Sequence, residues 1–149
     1  MRSMQAVNIS VIVPVYNEAK NLPELWKGLQ TNLPAISSEW EIIFIDDGST
    51  DKSWAVLNEI SQNNPMVKSI RFRRNFGQTA AMAAGIEHAK GDIIIFMDAD
   101  LQNDPSDIPA LIDKINEGYD VVSGWRKNRK DRFFGKRLPS KIANSLIRK

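Results

Sequence analysis

The sequence contains no cysteine and a single histidine, His88. Disulfides and thiolate metal sites are therefore excluded, and an intracellular setting is favoured. A zinc site of the histidine-rich kind is disfavoured as well. A metal ion bound by this chain would have to be held by oxygen ligands, which are the ligands that Mg²⁺ and Mn²⁺ prefer.

Long hydrophobic runs are also absent. No run approaches the roughly 20 apolar residues needed to cross a bilayer, and the first ten residues, MRSMQAVNIS, lack the apolar stretch of a secretory signal. We therefore expect the chain as given to be soluble, with no transmembrane segment. Its 149 residues, 42% of them hydrophobic, provide for one domain with a substantial core.

Acidic and basic residues are separated along the chain. Residues 1–125 hold 10 Lys/Arg against 17 Asp/Glu, whereas residues 126–149 hold 10 Lys/Arg against Asp131 alone. A basic end on an acidic body predicts an anionic partner such as a membrane surface or a phosphorylated ligand. Nucleic acid is disfavoured, because the basic charge is confined to one short segment. We therefore distinguish a core, residues 1–125, from a basic segment, residues 126–149.

Apolar runs alternate with helical patterns along the core. Continuous hydrophobic runs are typical of strands buried on both faces. The predicted strands are Ile9–Val15, the EIIFI run ending at Asp46, Val67–Phe72, Asp92–Met97 and a short fifth strand, Val121–Ser123. The predicted helices are Asn21–Asn32, Lys52–Gln62, Thr79–Ala89 and Ser106–Glu117. This alternation predicts an α/β fold, a Rossmann-like and mainly parallel sheet with helices on both faces.

Carboxylates gather where the predicted strands end. In a parallel sheet the ligand crevice lies beyond the carboxyl ends of the strands. The segments at these ends are PVYNE, DDGSTD, DADLQND and SGWRKNR, and three of the four carry acidic side chains. We therefore predict the functional site at this edge of the sheet.

The segment DADLQ follows the fourth predicted strand directly. Alternate residues beyond a strand can point to one side, so Asp100 and Gln102 are predicted to share a Mg²⁺ or Mn²⁺ ion. Asp98 would lie nearby or act through water. Such ions usually keep several waters and bridge substrate phosphates.

The remainder of this segment argues against other sites. Asp104 is interpreted as a helix cap, because Pro105 follows it at the first helical position. A calcium loop is excluded, since its positions 6 and 12 would be Asn103 and Pro109 instead of Gly and Glu. A phosphatase-type aspartyl nucleophile is disfavoured, because that motif usually follows the first strand.

The other strand ends suggest a nucleotide site. PVYNE lacks the glycine-rich turn of dinucleotide-binding proteins, so NAD and FAD are disfavoured. Tyr16 offers a ring for a nucleobase and Glu18 an acceptor, although Glu18 could instead cap the next helix. Either Asp46 or Asp47 can accept a hydrogen bond from a base or ribose. Arg126 follows a strand end and could bind a diphosphate bidentately.

Two basic segments each allow two interpretations. Arg73 and Arg74 precede Gly77 at a predicted helix start, which is either an anion-binding position or a solvated turn. Residues 138–149 combine an apolar stripe with basic residues opposite it. That pattern is typical of an interfacial membrane helix and equally of a docked terminal helix.

Taken together, VIVPVYNE, DDGSTD, RNFGQTAAMAAGI, MDADLQNDP and SGWRKNR resemble the family 2 glycosyltransferases with the GT-A fold. Within that family the chain is most similar to polyprenyl-phosphate glycosyltransferases, which include dolichyl-phosphate mannose and glucose synthases and undecaprenyl-phosphate sugar transferases. The resemblance implies metal-dependent, inverting transfer of a sugar from a nucleoside diphosphate to a polyprenyl phosphate. Members of that family continue further, so we expect a truncated chain whose full-length form lies at the cytoplasmic face of a membrane.

The resemblance also implies roles for individual residues. The implied nucleotide-sugar contacts are Pro14, Tyr16, Glu18, Ile45, Asp47, Ala99, Asp100 and Arg126. The implied metal ligands are Asp98, Asp100 and Gln102, and the implied catalytic residues are Asp98, Asp100 and Arg126. Arg137 and Ser140 are the implied contacts of the lipid acceptor.

Two other functions remain as alternatives. One is a family 2 transferase that uses a sugar hydroxyl or polysaccharide as acceptor, and the other is a nucleotide-binding module without catalysis. A phosphate acceptor is favoured, because it is already anionic near neutral pH (second pKa about 6), whereas an alcohol needs a general base. The sequence leaves open the nucleobase, the sugar, the lipid and whether the protein forms a homo-oligomer.

Overall fold

The computed structural model describes residues 8–124, and the chain divides into two units after Asp113. The strands in these residues are β1 (Ile9–Val15), β2 (Trp40–Asp46), β3 (Val67–Arg71) and β4 (Ile93–Phe96). The helices are α1 (Leu22–Ile36), α2 (Ser53–Asn63), α3 (Gln78–His88) and α4 (Ile108–Asn116), with a 3₁₀ helix at Pro105–Asp107. Over residues 8–124 the structure contains no helix long and apolar enough to cross a membrane.

The four strands form one parallel sheet in the order β3-β2-β1-β4. In register, Ile9 of β1 lies beside Trp40 of β2 and Ile93 of β4, and Ile42 of β2 lies beside Val67 of β3. Because all strands run the same way, their carboxyl ends share one edge. The predicted parallel α/β fold is confirmed.

Side chains of the strands alternate between two apolar layers. Val11, Val13 and Phe44 belong to the layer that includes the buried faces of α1 and α2. Ile12 and its β2 neighbours point the other way, toward α3. Burial of a large aliphatic side chain contributes about 1.5–3 kcal/mol, so both layers hold helices on the sheet. The prediction of helices on both faces is confirmed.

The predicted fifth strand, Val121–Ser123, is wrong. Residues 121–124 have no strand structure, and the side chain of Val121 is 85% exposed. Two valines followed by serine and glycine offer too little apolar surface to offset the conformational entropy of a strand. The other predicted elements are present: Ile9–Val15 has the predicted boundaries, and the boundaries of the rest differ by one to a few residues.

A polar network joins the strands at the opposite, amino-terminal edge of the sheet. The Glu41 carboxylate accepts hydrogen bonds from Ser10 Oγ (2.7 Å), the Lys90 amide (2.7 Å) and Lys68 Nζ (2.6 Å). Ser10 Oγ in turn accepts from the Gly91 amide at 2.8 Å. Burial by itself raises the pKa of Glu41, but these hydrogen bonds and the charge of Lys68 outweigh it and hold the pKa below its ordinary 4.5.

The Glu41→Gln variant is expected to lose about 1–2 kcal/mol of unfolding free energy at pH 7, since it loses the charge-assisted bonds. Because the folded pKa lies below the unfolded one, this stabilisation is complete above about pH 4.5 and is lost as the pH falls through the folded pKa. Urea denaturation of both proteins between pH 7 and pH 3 measures the difference. Glu39→Gln, at an exposed neighbouring position, is the control and should show no such pH-dependent loss.

Candidate active site

A cleft of about 370 Å³ opens at the carboxyl edge of the sheet. It is formed by the ends of three strands and by the loop between β3 and α3. The lining residues are Pro14, Val15, Tyr16, Glu18, Asp47, Asn75, Gly77, Gln78, Asp98, Ala99 and Asp100. The structure therefore brings together most of the predicted site residues that it describes.

The first wall of the cleft is the turn after β1. Tyr16 is 48% exposed, which leaves its ring accessible for stacking. Glu18 lies deeper and accepts a hydrogen bond from Asn21 Nδ2 at 2.6 Å. The turn thus presents an aromatic ring and a fixed carboxylate to the same cleft.

Asn17 joins this turn to the one after β2. Its side-chain Oδ1 accepts hydrogen bonds from the backbone amides of Thr50 (2.8 Å) and Asp51 (3.2 Å). Its backbone amide donates to Ser49 Oγ at 3.0 Å. Its backbone is left-handed, with φ 56°, a conformation that asparagine tolerates better than most residues. The positions of Tyr16 and Glu18 therefore depend on a residue between them that faces away into the neighbouring turn.

Asn17→Ala is expected to lower the unfolding free energy by about 1–2 kcal/mol, because the hydrogen bonds from the Thr50 and Asp51 amides to the Asn17 side chain are lost and alanine disfavours a left-handed backbone. Asn17→Gly removes the same bonds but accepts the backbone. It should therefore lose less than Asn17→Ala in a chemical denaturation series. Equal losses in the two variants would contradict the contribution of the left-handed conformation.

Asp47 lines the cleft directly after β2, and its side chain is hydrogen-bonded to the loop between β3 and α3. Its Oδ1 accepts from the Phe76 amide at 2.7 Å and its Oδ2 from the Gly77 amide at 2.9 Å. Only 4% of the residue is exposed. Asp47 therefore holds the β3–α3 loop against the sheet as well as lining the cleft.

The preceding residue, Asp46, is buried and does not itself line the cleft. It is fully buried, accepts from the Ser49 amide at 3.1 Å, and its Oδ2 lies 3.2 Å from Arg71 Nε. That Oδ2 makes no hydrogen bond of good geometry, so we regard the contact with Arg71 as an ion pair only. Of the two aspartates considered from the sequence, Asp47 is the one that reaches the cleft.

The turn after β4, the strand that pairs directly with β1, also lines the cleft. Ala99 is buried and anchors the turn, whereas Asp98 is half-buried and Asp100 is exposed. Asp98 Oδ1 accepts a hydrogen bond from Gln78 Nε2 at 3.0 Å, and Asp100 Oδ1 accepts one from the backbone amide of Gln102 at 3.1 Å. Leu101 adopts φ 60°, rare for a bulky residue, while its side chain packs against the core.

This donor set fits a hard divalent cation. Asp98 and Asp100 present carboxylate oxygens to one cleft, which suits Mg²⁺ or Mn²⁺ with waters and phosphates as the other ligands. Among residues 8–124 no group of three or more His, Asp or Glu side chains could hold a metal ion. An ion here would therefore have the two aspartates as its carboxylate ligands and would need its other ligands from waters, amide oxygens or a bound anion.

Other predicted residues lie elsewhere. Ile45 is fully buried in the layer beneath α3 and does not line the cleft, and neither does Gln102. Arg126, Arg137 and Ser140 lie outside the described residues, as does the basic segment. Their roles, and the division of the chain at residue 125, stay predictions.

One helix cap agrees with the prediction from the sequence, whereas three residues that line the cleft were not predicted. Asp104 caps the 3₁₀ helix, as predicted, and its bond from the Ser106 amide (2.9 Å) holds its pKa below the ordinary value. Val15, Asn75 and Gln78 line the cleft without having been singled out. Their position in the cleft depends on contacts between parts of the chain that are distant in sequence. A local sequence pattern does not predict such contacts.

Comparisons with known proteins agree with this architecture. The mannosyltransferase PcManGT from Pyrobaculum calidifontis, in complex with GDP-Man and Mn²⁺, is 24% identical, with a TM-score of 0.55 over 65% of this chain. Residues 1–349 of TarS from S. aureus, in complex with UDP-GlcNAc, are 25% identical, with a TM-score of 0.57 over 81%. The expected GT-A fold is confirmed by these similarities. The chain spans 28% and 38% of the lengths of these two proteins.

The family comparison covers more of the chain. The sequence pattern of glycosyl transferase family 2 matches residues 10–149, which include all of β1 except Ile9, the carboxylate turns and the basic segment. The glycines, aspartates and apolar runs that build the cleft all fall within this match. The chain therefore belongs to glycosyl transferase family 2.

Proposed function

We propose that the protein transfers a sugar from a nucleoside-diphosphate sugar to a polyprenyl phosphate in a metal-dependent, inverting reaction. The observation that carries the proposal is the cleft itself, in a chain of glycosyl transferase family 2. The turn after β1 offers Tyr16 and Glu18, and the turn after β4 offers Asp98 and Asp100. A nucleotide needs the first kind of surface and a diphosphate with its cation needs the second.

The donor side of the proposal is supported by the chemistry of the lining. The exposed ring of Tyr16 suits stacking on a nucleobase, and Glu18 is a hydrogen-bond acceptor for base or ribose. TarS, which has a similar fold, is seen with UDP-GlcNAc, and the mannosyltransferase is seen with GDP-Man. The proposal therefore specifies a nucleoside-diphosphate sugar and tests uracil and guanine separately.

In the proposed reaction an oxygen of the lipid phosphate attacks the anomeric carbon. The bond from that carbon to the diphosphate oxygen breaks on the opposite face, and the nucleoside diphosphate leaves with the electron pair. Asp98, Asp100 and Gln102 would hold the divalent cation, which when bound neutralises charge on the leaving diphosphate. Arg126 is proposed as a second contact for a phosphate.

The acceptor side is supported by protonation chemistry and charge. A phosphate monoester is already anionic near pH 7, so the protein need not remove a proton from the attacking oxygen. His88 is exposed at the end of α3, with Nδ1 2.8 Å from the Ala84 carbonyl, and does not line the cleft. The basic residues 126–149 provide charge for an anionic lipid surface.

The first experiment measures the binding of UDP-glucose, UDP-N-acetylglucosamine and GDP-mannose by calorimetry, with and without Mn²⁺. We expect one nucleobase to be preferred and Mn²⁺ to strengthen binding. No binding of any donor would contradict the proposal.

The second experiment measures transfer of labelled sugar from the preferred donor. Polyprenyl phosphate in detergent is compared with soluble sugars and oligosaccharides as acceptors. Transfer to the lipid phosphate is the expected result. Transfer only to hydroxyl acceptors would assign the alternative family 2 activity, and donor binding without any transfer would favour a nucleotide-binding module.

A further inference from the structure

Gln78 stands beside one of the proposed metal ligands. It is the first residue of α3 and lines the cleft, and its Nε2 donates to Asp98 Oδ1 at 3.0 Å. Neither the sequence patterns nor the family resemblance assigned it a role. The carboxylate that it contacts lies in the turn after β4.

The position of Gln78 is determined by the residues immediately before it. Gly77 precedes α3 with φ 99°, and no side chain caps the helix. The amides of Phe76 and Gly77 both donate to Asp47, one to each carboxylate oxygen. Two hydrogen bonds to one buried carboxylate restrict the position and the orientation of the loop that precedes Gln78.

The helix behind Gln78 is also fixed on the sheet. A Cβ at Gly85 would lie 2.3 Å from Ile12 Cγ2, so α3 approaches β1 closely at this glycine. Ala81 on the same face is fully buried among residues of β1 and β2. The start of α3 therefore has little freedom to move along or away from the sheet.

We propose that Gln78 is a positioning residue for Asp98, and that Asp47 in turn places Gln78 by binding the Phe76 and Gly77 amides. This inference rests on the proposed function, in which Asp98 helps to hold the cation and diphosphate. A hydrogen bond to one oxygen of a carboxylate limits the rotation of the group and so restricts how it is presented to a ligand. Removal of such supporting partners typically lowers metal affinity by about 10- to 100-fold.

The test uses GDP and UDP as probes, each titrated calorimetrically with and without Mn²⁺. Gln78→Glu keeps the size of the side chain but loses the N–H donor and adds a charge facing Asp98, and Gln78→Ala removes the contact. Both variants are expected to lose at least about tenfold of the increase in affinity that Mn²⁺ gives, with little change in metal-free binding. Thr79→Ala, the next residue along α3 and exposed, is the matched control and should behave as wild type.

Each outcome bears on the proposal. If Gln78→Glu and Gln78→Ala keep the full Mn²⁺-dependent increase, Gln78 does not position Asp98. If both nucleotides bind more weakly by the same factor with and without Mn²⁺, the role is general to the cleft and the proposal is also overturned. A wild-type chain that binds neither nucleotide would contradict the proposed function, and the next measurement then decides the Asp47 step by itself.

That measurement is amide hydrogen exchange without ligand. Asp47→Asn replaces one acceptor oxygen with an NH₂ group, so the Phe76 or Gly77 amide is expected to exchange at least about tenfold faster. Asp113→Asn, at an exposed position on α4, is the control and should leave these amides unchanged. Unaltered protection of both amides in Asp47→Asn would show that Asp47 does not place the loop.

Discussion

Asp100→Ala is expected to lower the rate of sugar transfer by about 100- to 1,000-fold, since each tenfold corresponds to about 1.4 kcal/mol of transition-state stabilisation. Asp100 is an exposed carboxylate in the turn after β4 and lines the cleft together with Asp98. In the proposed reaction Asp100 is a ligand of the cation that neutralises the departing diphosphate, so its loss would remove an effect worth several kcal/mol. Initial rates at saturating donor measure the change.

The same substitution should hardly affect folding. Asp100 is exposed, and its hydrogen bond from the Gln102 amide is short-range, so its removal is expected to change the unfolding free energy by less than about 1 kcal/mol. Asp107→Ala, an exposed carboxylate of the nearby 3₁₀ helix, serves as the charge-matched control and should retain activity. A rate within a few-fold of wild type in Asp100→Ala would contradict the catalytic role of this turn.

Gly48→Ala is expected to have the largest effect on stability, a loss of about 4 kcal/mol or more. The backbone of Gly48 has φ 70°, and a Cβ there would lie 2.4 Å from the Arg74 carbonyl carbon and 2.5 Å from the Asn75 amide nitrogen. Both neighbours are backbone atoms, which cannot rotate away as a flexible side chain can. The turn after β2 and the loop between β3 and α3 would have to separate. The hydrogen bonds from the Phe76 and Gly77 amides to Asp47 would then be disrupted.

Gly118→Ala separates the two causes. Gly118 also has a left-handed backbone, with φ 105°, but a Cβ there would meet no atom within 4 Å. Its substitution therefore reports the conformational penalty alone, about 1 kcal/mol or a little more. Urea denaturation of both variants measures the difference, and equal losses would mean that the close approach of the two loops contributes nothing.

The sequence predicted best what depends on local pattern. Continuous apolar runs before Asp46 and Asp98 identified two strands of the sheet, and the spacing of Leu22, Leu25 and Leu29 identified the buried face of α1. The expectation of burial on both faces is confirmed for the centre of β2 but is wrong for β4, which lies at the end of the strand order with Ile94 and Phe96 exposed. These patterns are informative because strand and helix periodicities differ. The structure has a cleft at the carboxyl edge, where parallel topology predicts a ligand crevice.

What the sequence could not reveal depends on contacts between distant residues. Asp47 was expected to meet a nucleotide, and its hydrogen bonds to Phe76 and Gly77 could not be foreseen from DDGSTD. Gln78 resembles any polar residue at the start of a helix until the end of β4 is placed beside it. The pair Val121–Val122 suggested a strand, but strand formation requires a partner and burial that a two-residue apolar pattern does not guarantee.

The parallel pairing of β4 with β1 has a kinetic consequence. Ile9 pairs with Trp40 across one helix, but with Ile93 only after β2, β3 and three helices have been passed. Loop closure over the longer separation has the greater entropic penalty and slows folding, so β1 and β2 are expected to associate before β4 joins them. Asp98 and Asp100 follow β4 directly, and the carboxylate turn would therefore be among the last parts to form on refolding.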